Sequence, residues 1–423
     1  MKLRLENIGK LTKADIEING ITVIAGANGT GKSTVGRALF AVFNGLHDID
    51  EQVNQEKFIS IRKILNELLR NLKIDDSESL EDHFKFIDAI KEDVNGNKKA
   101  INIKKVISGL YERENKQWDK IVNDSIFVHG IKQIEEVLAI SSEELYTFIL
   151  NRAIYYEYGR QINNVFSEET GSITLTIKGE NIKIPIDNNK VTCVINAQSL
   201  SKSAVYIDDP FVLDEVNERY FSGRNRSLYH RDLLKNKLLY EYSDSNIIDE
   251  VIADKRLKRI YDKISIACSG NIINNKSGPG FDYQLANSDK VLDVKNLSTG
   301  LKTFAILKRL LVSGGIESNG TIILDEPEIH LHPEWQLLFA ELIVLLHKEF
   351  ELHILLNTHS PYFLRAIQVY SSIHEVADKC NYYASELSDD ETAVITNVTG
   401  NVEVIYKKLA EPLQKLEDLR WTE

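Results

Sequence analysis

Eight consecutive residues constrain this chain more than any other feature. Gly26-Ala27-Asn28-Gly29-Thr30-Gly31-Lys32-Ser33 places glycine at its first and sixth positions and closes on Lys-Ser. The run Ile21-Thr22-Val23-Ile24-Ala25 before it reads as a short buried strand. Val35, Ala38, Leu39 and Val42 after it fall on one face of a helix. Strand, glycine-rich loop and helix in that order form a phosphate cradle. The glycines let successive backbone N–H groups turn inward, and the helix start adds unpaired donors and a positive dipole end. The pattern assigns Asn28, Gly29, Thr30, Gly31 and Thr34 to the cradle, Lys32 to the β- and γ-phosphates of a nucleoside triphosphate, and Ser33 to its Mg²⁺.

A second apolar run, Thr321-Ile322-Ile323-Leu324, ends in Asp325-Glu326. Carboxylates at the C-terminal end of a parallel strand face the crevice where ligands sit. Asp325 is therefore expected on Mg²⁺, and Glu326 as the base that orients or activates an attacking water. From about residue 281 to 360, short apolar runs alternate with helical patterns, which implies a parallel sheet covered on both faces.

The rest of the chain divides by period. Residues 1–49 carry two alternating strands (Leu3 and Leu5; Ala14, Ile16 and Ile18), then the phosphate loop and its helix. Residues 50–168 read as a helical insertion, with Phe58, Ile61, Leu65, Leu68 and Leu72 at helical spacing, and Leu80, Phe84, Ile87 and Val94 likewise. No heptad pattern is sustained, so this segment is expected to pack as a subdomain, not to extend as a coiled-coil arm. Residues 169–211 form an antiparallel β part: Ile173, Leu175 and Ile177 answer Ile182, Ile184 and Ile186 across Gly179-Glu180. Val191, Cys193 and Ile195, and then Val205-Tyr206-Ile207, are expected as further strands. Residues 212–280 return to helix, and 281–423 complete the core, with Thr392–Asn397 and Val402–Val404 read as strands before a final helix.

Two further stretches carry a family resemblance. Asn296-Leu297-Ser298-Thr299-Gly300-Leu301-Lys302 precedes the acidic strand and resembles the signature loop of ABC ATPases, with Thr299 and Leu301 departing from its usual residues. Asn357-Thr358-His359-Ser360-Pro361 follows a third apolar run and resembles their switch-histidine segment. The stretch from Asp325 to Pro333, Asp-Glu-Pro-Glu-Ile-His-Leu-His-Pro, is similar to the OLD-type branch, related to RecF and SMC ATPase heads, and unlike transporter subunits. The resemblance implies an α/β, ABC-type P-loop ATPase with a mainly parallel core sheet, an antiparallel β subdomain and a helical insertion. It implies ATP and Mg²⁺ as cofactors, and an ATP-dependent head-to-tail dimer or higher oligomer. In that assembly Ser298 and the N–H of Gly300 reach the γ-phosphate held by the other copy, while His359 contacts it within its own copy. It also calls for a glutamine at the metal; of Gln161 and Gln198, Gln198 is preferred because it follows the hairpin strands.

Nuclease members of the OLD branch carry a Toprim domain with a D-x-D metal pair, and no such pair follows His359. The expectation is an ATPase without its own nuclease, resembling subunits of bacterial anti-phage systems such as Septu and PARIS that act with a separately encoded nuclease or effector. The alternative is a RecF- or SMC-like DNA-clamp ATPase. A formal net charge of −12 argues against coating DNA through a general basic surface. Two local basic stretches, Arg224 to Lys237 and Lys255 to Arg259, read as solvated helix faces before they read as DNA contacts. His330 and His332 are assigned to packing and dimer contact, not to a metal. Three scattered cysteines, no leader-like N-terminus and no apolar stretch near the roughly 20 residues of a membrane span point to the cytoplasm and away from a membrane.

Overall fold

The computed structural model describes residues 1–71, 123–216, 228–239, 258–275, 278 and 280–420. They fall into two units. One comprises Met1–His47, Leu150–Ala197 and Ser201–Glu423; the other comprises Asp48–Ile149 with Gln198–Leu200.

The larger unit is built on an 11-stranded sheet. In chain order its strands are β1 (Lys2–Ile8), β2 (Leu11–Glu17), β3 (Ile21–Ala25), β4 (Gly171–Ile177), β5 (Glu180–Asp187), β6 (Lys190–Val191) and β7 (Ala204–Ile207). After β8 (Asn271–Asn274), β9 (Phe281–Gln284) and β10 (Val291–Asp293), which form a separate sheet, come β11 (Thr321–Asp325), β12 (His353–Thr358), β13 (Cys380–Leu387) and β14 (Ala393–Asn397). The order across the large sheet is β6-β5-β4-β1-β2-β14-β13-β3-β12-β11-β7. The block β13-β3-β12-β11-β7 is parallel throughout. All five residues of β3 are buried, as a strand covered on both faces requires. Helices Lys32–Leu46, Thr299–Val312, Pro333–Phe350 and Pro361–Ile373 supply much of that cover, with Phe304, Phe339 and Phe363 packed ring against ring among them.

Register decides where chemistry can occur. Ala25 lies beside Thr358, Asn357 beside Asp325, and Leu324 beside Ile207. The parallel strands therefore end in one row, and the residues just past them share one crevice.

The fold class is the one expected, and the hairpin forms with Ile173 opposite Ile184 and Leu175 opposite Ile182. Four local readings change. Val205-Tyr206-Ile207 is not part of the antiparallel portion; as β7 it edges the parallel block, because its buried residues match the row of β11. Val191, Cys193 and Ile195 do not make one strand: β6 stops at Val191, and Ile195 makes a single bridge to Lys183. The strand near 281, β9, belongs to the small antiparallel sheet. Val402–Val404 is no strand, since the helix Glu403–Arg420 begins there.

The smaller unit is mainly helical where it is described. Helix Ile49–Asn71 buries Val53, Ile61, Leu65 and Leu68, and helix Ser125–Ala139 buries Phe127, Ile131 and Ile134. The Asp124 side chain caps the second helix by accepting from the Ile126 N–H. Gly130 allows the close approach, since a Cβ there would stand 2.0 Å from Leu68 Cδ1. Leu72 and the Leu80, Phe84, Ile87 and Val94 series lie outside the described residues.

A candidate nucleotide site at the parallel strand ends

The loop after β3 opens a cleft lined by Lys10, Asn28, Gly29, Gly31, Lys32, Ser33, Thr34, Asp208, Asp325, Glu326 and Ile329. Gly29 and Gly31 take left-handed backbone at φ 77° and 84°. A Cβ on Gly31 would also come within 2.8 Å of Leu11, so the loop cannot keep this path with a larger residue there. The helix Lys32–Leu46 has no side-chain cap and no acid in its first turn. Its N–H donors are left for an outside anion, which is how a phosphate site is built. Thr30 lies beneath the loop, where its hydroxyl donates to Ala27 O and its own carbonyl accepts from Ser385.

Lys32 Nζ rests on the carbonyls of Gly26 (3.0 Å) and Ala27 (2.8 Å) and stands 3.3 Å from Glu326 Oε1. Glu326 follows β11 with φ 50°, a strained angle for a side chain of its size, while its N–H still donates to Asn357 O at 2.9 Å. That turn aims its carboxylate at the end of β12, where His359 Nδ1 lies 3.5 Å from Glu326 Oε2. An ammonium, a carboxylate and an imidazole thus converge from three separate segments.

Asp325 is fixed from both neighbouring strands. Asn357 Nδ2 donates to one carboxylate oxygen at 3.0 Å and Tyr206 Oη to the other at 2.8 Å. Tyr206 is 1% exposed, and burial, then the neighbouring Asp325 carboxylate, hold its hydroxyl far above the usual tyrosine range. It is a neutral donor at any ordinary pH. With Ser33 in the same cleft, Asp325 provides the hard oxygen chemistry that Mg²⁺ takes.

Sequence reasoning missed Lys10 and Asp208. Asp208 was detectable: like Asp325 it is an acid at the end of a short apolar run. Burial would raise its pKa, yet hydrogen bonds from His230 and Arg231 win and pull it down to about 2. Arg231 grips it at 2.8 to 3.1 Å, and His230 Nε2 lies 3.1 Å away. His230 is itself buried, with Nδ1 2.7 Å from Glu157 and its ring stacked on Tyr206 at 4.5 Å between centroids. Burial lowers the pKa of this histidine, but its two carboxylate partners raise it above the ordinary value. The first basic stretch is therefore not a solvated face where it is described: His230 and Arg231 serve the cleft, and Lys235 pairs with Glu215. Arg224, Arg226, Lys255 and Arg256 lie outside the described residues.

Ser298 and Gly300 line a different hollow, with Thr299, His330, His332 and Trp335. Ser298 sits at the N-cap of helix Thr299–Val312, but its side chain makes no capping bond. Gly300 is required because a Cβ would approach His330 O to 2.9 Å and the Trp335 ring to 3.3 Å. Lys302, two residues on, is buried against Asp214 and over the Phe211 ring. The described lining of the Lys32 cleft contains neither Ser298 nor Gly300, nor Gln198, which falls within the helical unit.

A glycine-rich loop after one strand of the parallel block, paired acids on the strand two places away, a histidine on the strand between and a signature-like helix give the chain the fold of an ABC-type P-loop protein. The comparisons place it more closely. A family model described as an AAA ATPase domain matches residues 1–364, and the chain belongs to that family. Septu protein PtuA from Bacillus thuringiensis is 25% identical over 184 residues, which is 40% of this chain. The match spans 44% of that relative, less than half its length. Among solved structures, an SMC head bound to the C-winged helix domain of ScpA aligns over 94% of this chain and 96% of its own at 13% identity and a TM-score of 0.44. CbiO1 of Clostridium perfringens, part of an ABC transporter complex, aligns over 99% of this chain and 98% of its own, at 15% identity and a TM-score of 0.34. No described helix is long and apolar enough to cross a membrane.

Proposed function

We propose that this chain binds and hydrolyses ATP between two copies of itself, and that it is the regulatory subunit of an anti-phage complex acting with a separate nuclease or effector in the cytoplasm. The observation that carries the enzymatic part is the convergence of Lys32, Glu326 and His359 beside an uncapped helix start. The loop from Asn28 to Thr34 and the Lys32 ammonium bind the triphosphate. Ser33 and Asp325 would hold Mg²⁺, which when bound neutralises charge on the β- and γ-phosphate oxygens. Glu326 orients the attacking water and accepts its proton as the bond to the γ-phosphorus forms and the bond to the leaving β-phosphate oxygen breaks. His359 donates to the γ-phosphate.

Ser298 and Gly300 complete the opposite copy's site. Their hollow is separate from the Lys32 cleft, and the Ser298 hydroxyl is not spent on capping its helix. A two-fold pair uses the same patch twice, so both sites close together. The part played in defence rests on the partial similarity to the Septu protein and on the resemblance of the Asp325–Pro333 stretch.

The test is direct. Lys32→Ala loses ATP binding, whereas Glu326→Gln keeps binding and stops turnover, since the amide fills the same space without acting as a base. Wild-type turnover by Glu326→Gln removes Glu326 from the role. For the partner, tagged Glu326→Gln loaded with ATP is recovered from its native cell. Recovery with a nuclease or effector supports the reading, and recovery with DNA alone favours a clamp.

A further inference from the structure

Three acidic residues, Asp325, Glu326 and Glu328, stand close together at the end of β11 and in the turn after it, and only the first two line the cleft. The third, Glu328, is 2% exposed. A buried carboxylate is unfavourable unless its bonds compensate, and burial pushes the pKa of Glu328 up. No lysine or arginine pairs with it among the described residues.

Its bonds all run to one place. Glu328 Oε1 accepts from the Thr358 hydroxyl at 2.5 Å and from the His359 backbone N–H at 3.2 Å. Thr358 Oγ1 in turn accepts from the Ser360 N–H, Ser360 donates to Gln336 Oε1, and Gln336 Nε2 donates to the carbonyls of Glu328 and Leu331. These bonds form a closed ring between the turn after β11 and the end of β12. Oε2 is buried without a hydrogen-bond partner, as is His359 Nδ1, which stands 3.5 Å from Glu326 and 3.9 Å from Glu328. An unmatched buried oxygen detracts from stability, so stability alone does not account for a glutamate here.

We infer that Glu328 is a positioning residue for ATP hydrolysis: it clamps the end of β12 so that the His359 imidazole is held against Glu326. The inference rests on the proposed role of His359, and His359→Ala is measured first for that reason. If His359→Ala turns over ATP like wild type, that role fails, and the positioning proposal falls with it. With His359→Ala impaired, Glu328→Ala isolates the clamp. A side chain displaced by about 1 Å loses on the order of 100-fold in rate, so Glu328→Ala is expected to lower kcat by roughly 10- to 100-fold with the KM for ATP unchanged. Glu328→Gln, whose amide oxygen can accept both bonds, restores kcat to within about threefold by the same reasoning.

The deciding readout is coupling. A residue acting only through His359 has no further effect once His359 is gone, so Glu328→Ala adds nothing in the His359→Ala background. An equal fold loss in both backgrounds, or a wild-type kcat in Glu328→Ala, overturns the inference. Should Glu328→Ala not fold, Thr358→Val cuts one of the two legs and enters the same cycle. Should His359→Ala have no measurable turnover, ¹⁵N-imidazole resonances of His359 take over: they shift in the clamp variant and return in Glu328→Gln, and an unmoved signal overturns the proposal.

Discussion

Tyr206→Phe removes one oxygen atom from the site and leaves the ring. The hydroxyl is one of two tethers on Asp325, at 2.8 Å, with Asn357 providing the other at 3.0 Å. The ring keeps its stack on His230 and its contact with Phe40. A hydrogen bond to a charged group contributes about 1.5–3 kcal/mol. If most of that is felt at the metal, Mg²⁺ binding weakens by roughly 10- to 100-fold, at about 1.4 kcal/mol per factor of ten. Partners one shell behind a metal ligand show losses of that order, about 10–100-fold. The assay is a Mg²⁺ titration of turnover at fixed ATP, alongside ATP binding in EDTA. The half-saturating Mg²⁺ concentration rises, while metal-free binding holds, because Lys32 and the loop are untouched. Since burial keeps the Tyr206 hydroxyl protonated, the effect is the same at pH 6.5 and pH 8.5. A half-saturating Mg²⁺ within twofold of wild type refutes the reasoning, as does equal loss in EDTA.

Two other outcomes follow from the geometry. The raised pKa of His230 implies stabilisation that is full below the unfolded value of about 6.5 and fades as pH climbs through the folded value. His230→Asn should therefore lower the Tm of the nucleotide-free protein more at pH 6 than at pH 9, and an equal or larger drop at pH 9 contradicts this. Lys32→Ala and Ser298→Arg, each inactive alone, should recover part of the hydrolysis when mixed under subunit exchange, because one mixed dimer collects both defects in one site. No recovery with exchange confirmed counts against the shared site, unless the two sites fire only together; ATP-driven dimerisation of Glu326→Gln by light scattering decides that case.

What was legible in the sequence followed from local regularity. β3, β11 and β12 are short, mainly apolar runs because both of their faces are covered, and each announces the candidate site residues at its end. The β4–β5 hairpin alternates cleanly because its isoleucines and leucine face one side. β13 went unread because Cys-Asn-Tyr-Tyr-Ala-Ser-Glu-Leu has neither a continuous nor an alternating pattern. Its polar groups are accommodated by distant partners: Tyr383 accepts the Glu17 N–H and Ser385 donates to Thr30 O. The same holds for Asp208, His230 and Arg231. As a sequence, His230-Arg231 is a basic pair on a helix; only the fold supplies the Asp208 and Glu157 carboxylates that change its meaning.

The strand order also bears on how a ribosome must deliver this protein. β1, β2 and β3 emerge first, yet β2 and β3 are not neighbours: β14 and β13 lie between them. Until residue 397 has left the exit tunnel, β2 lacks its partner β14 and β3 lacks β13, so both carry raw edges. Those edges are long-range and parallel, the slowest kind of pairing to close and the kind most exposed to mispairing. The glycine-rich loop proposed to hold phosphate is thus among the first parts made and among the last to gain its full support, with Ser385 reaching back to Thr30 only at the end. A nascent or prematurely terminated chain ending before Cys380 presents two open strands beside an unfinished glycine-rich loop.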